Sequence, residues 1–203
     1  MTFWDFCAPF YDFAQSRNGR AYNVMLKTVR EIVPQGASVL EVAAGTGAIS
    51  LSIADKATDI LCSDISERML AIARKKAMKQ GVSNIRFDNI NIFETGKPNN
   101  AFDAVIAGQV LHLIDEPEKA ASELRRIAKT MVLLPISLTE SLSASAKLTL
   151  GIWRLFGFAP KAEFNAESYA AFLPRIGFEG CEITQIVGKI PMSVAVWRKN
   201  RSS

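Results

Sequence analysis

Histidine occurs once in this chain of 203 residues, at His112, and cysteine only at Cys7, Cys62 and Cys181. With a single imidazole and no Cys-x-x-Cys pair, the sequence lacks the ligand set of a structural zinc, and no metal is expected. Three widely spaced cysteines also exclude a disulfide framework and read as small buried hydrophobes of a reducing compartment. No uninterrupted apolar run approaches the roughly 18 residues a membrane-spanning helix needs, although the mean hydropathy is +0.12. The opening residues MTFWDFCAPF lack the basic start and small-residue cleavage site of a secretory signal, so a cytoplasmic protein is expected. Neither charge dominates: 24 basic side chains face 20 acidic ones. The densest basic piece, Arg74, Lys75, Lys76 and Lys79, falls on one helical pattern and reads as a solvated face. Nucleic acid is therefore not the expected partner, despite a pI near 9.0. Repeats, low-complexity tracts and Pro/Gly/Ser-rich linkers are absent, which leaves one domain over residues 1–203.

What is present is an alternation of strand and helix patterns. Strands are predicted at Ser38–Ala43, Asp59–Asp64, Asn84–Phe87, Phe102–Ala107 and Thr130–Leu134. Helices are predicted at Ala48–Ala54, at Ser66–Gln80 with Ser66 as N-cap and Gly81 as stop, and at Pro117–Lys129. Such alternation implies parallel strands with crossover helices. The tail differs: Glu179–Val187 and Ile190–Trp197, separated by Gly188-Lys189, predict a β-hairpin. The expected fold is an α/β doubly wound, mostly parallel seven-stranded sheet ending in an antiparallel hairpin.

Ligands of open α/β sheets sit at the carboxyl ends of the strands. The first such end reads VLEVAAGTGAIS, an apolar run closed by Glu41 and followed by a small-residue turn into a helix, which suits a nucleotide cradle. A dinucleotide fingerprint requires Gly-x-Gly-x-x-Gly, and Ser50 occupies the third glycine position. The second strand end carries Asp64, placed to accept both hydroxyls of a ribose.

VLEVAAGTGAIS followed by CSDIS resembles the first two motifs of class I S-adenosylmethionine-dependent methyltransferases. FDNINIF, NNAFDAVIAGQVLHLIDE, ELRRIAKTMVLLPIS and YAAFLPRIGFEGCEI resemble the later motifs in order, so the likeness covers most of the chain. The group most similar is the small-molecule one that includes the quinone-biosynthesis C-methyltransferases. Carried over by residue, the resemblance implies an S-adenosylmethionine site, with S-adenosylhomocysteine as product. Glu41, Ala43, Gly45 and Gly47 would form its loop, Asp64 the ribose acceptor, Ile65 and Met69 the adenine walls, and Asn91, Ile92 and Gly108 further contacts. Ala43 replaces a usual glycine, Asn91 a usual acid, and Lys129-Thr130-Met131 stands where the family has Pro-Gly-Gly.

Residues 1–20 would supply a lid, with Phe10, Tyr11 and Asp12 over the cofactor and Tyr11 also a catalytic candidate, set against a reading in which these rings cap the core or a dimer interface. His112, after the fourth strand, is the other candidate base, set against a reading in which it packs between Leu111 and Leu113. A second apolar stretch within 137–165, with Leu142, Ala146, Thr149, Trp153 and Phe156 at helical spacing, would roof the acceptor pocket and permits peripheral membrane contact. The expected activity is methyl transfer to a small, apolar acceptor, by a monomer or homodimer. A nucleic-acid methyltransferase is disfavoured because the (Asp/Asn)-Pro-Pro-(Tyr/Phe) motif is absent. A non-catalytic nucleotide-binding protein or a divergent nicotinamide enzyme stays open through Ala43 and Asn91.

Overall fold

The strand order is β3-β2-β1-β4-β5-β7-β6 in a single seven-stranded sheet. The computed structural model describes residues 4–9, 19–139 and 160–199. The strands are β1 (Ser38–Val42), β2 (Asp59–Ser63), β3 (Ile85–Asp88), β4 (Phe102–Ala107), β5 (Ala128–Ser137), β6 (Glu182–Ile186) and β7 (Met192–Arg198). The helices are α1 (Gly19–Ile32), α2 (Ala48–Ser52), α3 (Glu67–Lys79), α4 (Pro117–Ile127) and α5 (Ala166–Arg175), with a short helical segment at 4–9 before them.

β1 pairs in parallel with β2 on one side and β4 on the other, through Leu40↔Leu61 and Leu40↔Val105. Strands buried on both faces need apolar side chains throughout, which is why SVLEV and FDAVIA are nearly continuous hydrophobic runs. Leu40 and Val42 enter the core under α4 and α5, beside Leu124, Tyr169 and Phe178. Val39 enters the opposite core with Met25, Val29, Ile53, Leu70 and Ala73. The chain runs outward from β1 to β3 and then returns to β4 on the other side of β1. The connections diverge at the carboxyl ends of β1 and β4 and leave a crevice there.

The predicted strands and helices are present, with revised boundaries. Ser66 caps α3, its Oγ accepting from Met69 N at 3.3 Å, and Gly81 takes a left-handed φ of 67° just past it. α1 was not anticipated, although Ala21, Met25 and Val29, its buried residues, recur at helical spacing. α4 ends at Ile127 and the next residue begins β5, so no turn separates helix from strand, and Lys129 of the predicted helix lies in β5. The ammonium of Lys199 caps that abrupt end, donating to Arg125 O at 3.1 Å, Ala128 O at 3.0 Å and Asn100 Oδ1 at 2.8 Å.

β5 runs to Ser137 because β7 pairs with it as far as Ser137↔Met192. Pro135 is tolerated there because the β4–β5 ladder has already ended at Ile106↔Leu133. The hairpin closes at Ile186↔Met192, so its connection covers 187–191 rather than Gly188-Lys189 alone. Gly188 packs on α1, where a Cβ would lie 2.4 Å from that of Ala21. Among the described residues no helix is long and apolar enough to cross a membrane. The proposed roof at 140–159 and lid residues 10–18 lie outside the described residues.

Candidate functional site

The turn after β1 carries three residues with positive φ: Ala43 at 50°, Gly45 at 55° and Gly47 at 73°. Ala43 holds the left-handed conformation a glycine would take, which costs a residue with a Cβ about 1 kcal/mol. The turn is anchored by Ala44 N donating to Ser63 O and Gly47 N to Ala44 O, both at 2.9 Å. A Cβ at Gly47 would stand 3.0 Å from that of Ala73 on α3, a tight contact added to a left-handed φ that disfavours side chains.

Ser50, at the third glycine position, is fully buried and fixes the acid of the loop. Its N–H and Oγ–H both donate to Glu41 Oε2, at 2.8 and 2.5 Å. Glu41 is itself only 2% exposed, and burial raises its pKa to about 7 despite those two bonds. The absent glycine thus excludes a dinucleotide fingerprint and also supplies the partner of Glu41.

Asp64, past the end of β2, is 7% exposed and bridges two elements. Its Oδ2 accepts from Gly45 N and its Oδ1 from Ser66 N, each at 2.8 Å. Burial raises its pKa, while the two backbone N–H groups hold it down. Each carboxylate oxygen keeps acceptor capacity beyond its one amide bond. Ser66 also donates from Oγ to Asp5 Oδ1 at 2.6 Å, which ties the segment 4–9 to the start of α3. Asn89 braces the same corner, donating to Asp64 O at 2.9 Å and Ile65 O at 2.8 Å.

These elements enclose a cavity of about 210 Å³ at the carboxyl ends of β1, β2 and β4. Of the residues anticipated from sequence, Ala43, Gly45, Asp64, Ile65, Met69, Asn91, Ile92 and Gly108 border it. Glu41 borders a smaller cavity of about 20 Å³ beside it. Gly47 and His112 border neither, and Tyr11 lies outside the described residues. Trp4, Ile90, Phe93, Gln109, Val110, Leu113 and Ile114 complete the wall of the larger cavity and were not named as site residues. Trp4 belongs to an aromatic run visible in the sequence; the others follow a strand end where side-chain direction depends on loop conformation. Asn91 is a turn former as well as a wall residue, since its Oδ1 accepts from Phe93 N at 3.0 Å.

His112 is 9% exposed, and its Nδ1 has no hydrogen-bond partner among the described residues. Its backbone carbonyl accepts from Lys161 N at 2.8 Å and Ala162 N at 3.2 Å. Burial lowers the imidazole pKa to about 4, so the ring is neutral at neutral pH. Asp64 is then the one titratable residue among the described residues that border the larger cavity. No group of three or more His, Cys, Asp or Glu side chains arranged to hold a metal occurs among the described residues.

Residues 39–131 match the family model described as a methyltransferase domain. The phosphatidylethanolamine N-methyltransferase of Cereibacter sphaeroides is 31% identical over 104 residues, 51% of this chain and 51% of that protein. The ubiquinone/menaquinone biosynthesis C-methyltransferase UbiE of Rickettsia bellii is 32% identical over 110 residues, 51% of this chain and 44% of that protein. The chain thus matches about half the length of these curated relatives.

Among solved structures, the magnesium protoporphyrin IX methyltransferase of Synechocystis, determined with bound SAH, aligns with a TM-score of 0.69 at 18% identity, covering 93% of this chain and 88% of that one. The cyclase SpnF aligns with a TM-score of 0.70 at 19% identity, over 88% of this chain and 81% of that one. A fold shared by a methyltransferase and a cyclase does not by itself define the reaction. Residues 39–131 thus resemble a methyltransferase domain, and the seven-stranded sheet has the fold of solved S-adenosylmethionine-dependent methyltransferases such as that of Aquifex aeolicus.

Proposed function

We propose that this chain transfers a methyl group from S-adenosylmethionine to a small, apolar acceptor. The observation that carries the reading is Asp64, a buried carboxylate on the cavity wall, oriented by Gly45 N and Ser66 N and still able to accept from ribose hydroxyls. Ile65, Met69 and Ile92 supply apolar walls suited to an adenine ring, and the second lone pair of Asn91 Oδ1 suits its amino group. Ala43, Gly45 and Gly108 line the end that would take the methionyl group. The cofactor would supply a sulfonium-borne methyl, an electrophile displaced in line.

The remaining wall, Trp4, Ile90, Phe93, Val110, Leu113 and Ile114 with Gln109 as its one polar member, is mainly apolar and favours an acceptor of the same character. These side chains exclude water and align the acceptor, and both effects lower the barrier to displacement. Asp64 is committed to the loop and His112 does not border the cavity, so neither supplies a general base there, while the candidate Tyr11 lies outside the described residues.

A thermal-shift panel with S-adenosylmethionine, S-adenosylhomocysteine, NAD and NADP tests the reading. A ligand at about 100 times its Kd stabilises the native state by about 2.7 kcal/mol. Stabilisation by the two adenosyl sulfur compounds alone is the expected result. A shift from the nicotinamide nucleotides alone, or from none of the four, overturns the reading.

A further inference from the structure

Gln109 holds a left-handed φ of 57°, a conformation unfavourable for a residue with a Cβ. Two bonds to β5 keep it there: its backbone N–H donates to Pro135 O at 2.9 Å, and its Oε1 accepts from Ser137 N at 2.9 Å. Because a backbone N–H only donates, the amide oxygen is fixed on the Ser137 side and the amide nitrogen is turned away from it. That nitrogen, Nε2, is buried and has no hydrogen-bond partner among the described residues. The clamp on Ser137 uses the oxygen alone, so a carboxylate would serve it equally well. The amide group therefore carries a donor that the fold does not use, and a buried unmet donor calls for a function.

Its position supplies one. Gln109, Ala43 and Gly108 border both the cavity of about 210 Å³ and the smaller one of about 20 Å³, and so form the partition between them. The smaller cavity has room for about one water, too little for an α-amino acid group. Glu41 stands on its wall. A cofactor whose nucleoside lies along Asp64 would bring its zwitterionic end against this partition.

We propose that Gln109 Nε2 donates to the α-carboxylate of the cofactor's methionyl group once the partition yields and the two cavities join. This rests on the S-adenosylmethionine reading above. The carboxylate completes the donor that the protein leaves unmet, and Glu41 offers the opposite charge for the ammonium. Strain at two of the three partition residues, Ala43 and Gln109, fits an element that shifts on binding.

The test uses the full chain and two probes, S-adenosylhomocysteine and 5′-methylthioadenosine, which shares the nucleoside and thioether but lacks the amino-acid end. Their dissociation constants are measured by titration calorimetry for the wild type, Gln109→Glu and Gln109→Leu. Gln109→Glu keeps the acceptor for Ser137 N and removes the donor. It should weaken S-adenosylhomocysteine by tenfold to a hundredfold, as expected for loss of a hydrogen bond to a charged group, with 5′-methylthioadenosine unchanged within about twofold. Gln109→Leu should weaken S-adenosylhomocysteine about tenfold with the same selectivity. Equal losses for both probes would mean a purely structural partition and overturn the proposal, as would unchanged affinity for S-adenosylhomocysteine. Failure of both probes to bind the wild type would instead remove the cofactor reading, and this assignment with it.

Discussion

Replacing Glu41 by glutamine should leave stability unchanged near pH 4.5 and raise it by about 3 kcal/mol near pH 7. Glu41 is only 2% exposed, and burial moves its pKa from an ordinary 4.5 to about 7. Between those two values the unfolded chain has released the proton and the folded chain still holds it. Stability therefore falls as pH rises through this window and levels off above about 7. At about 1.4 kcal/mol per pH unit, the window is worth about 3 kcal/mol. Glutamine cannot ionise, yet its single oxygen can take both Ser50 donors, so the variant escapes the loss.

His112 acts with the opposite sign. Its pKa falls from 6.5 to about 4, so stability contributed by the neutral ring is gained as pH rises from about 4 to 6.5. Where the two windows overlap, from about 4.5 to 6.5, these contributions oppose each other in the wild type, and Glu41→Gln unmasks the rising one. Urea unfolding followed by circular dichroism at half-unit steps from pH 4.5 to 7.5 reads the difference between the two proteins directly. Asp64, also raised by burial, is present in both proteins, and its charge adds to the upward shift of Glu41 in the wild type. A pH-independent difference, or a wild type that gains on the variant as pH rises, would refute the linkage.

Two further substitutions probe the backbone. Ala43→Gly removes a left-handed residue with a Cβ and should stabilise by up to about 1 kcal/mol, read as a raised urea midpoint; a loss of that size would show the φ of 50° is not strained. Gly177→Ala adds a Cβ 2.4 Å from Arg125 Nη1 at a φ of 91°, and should lower stability by about 2 kcal/mol or more through displacement of the Arg125 bond to Gly177 O; an unchanged midpoint would contradict the packing.

β1, β2 and β4 were legible to within one residue, because strands buried on both faces must be apolar and must end in residues that turn. Their ends in turn located Ala43, Gly45 and Asp64, so the half of the cavity made by β1 and β2 followed from local pattern. Features set by distant partners did not. The end of β5 depends on β7, and the hairpin connection on Ala21, more than 160 residues earlier in the chain. His112 drew attention as the chain's lone imidazole, but its neutrality comes from burial, which its neighbours Leu111 and Leu113 hint at without determining. The role of Ser50 shows the limit most clearly. As a missing glycine it excluded one ligand class from the sequence alone, while its hold on Glu41 emerged only once the first turn of α2 placed residue 50 over the end of β1.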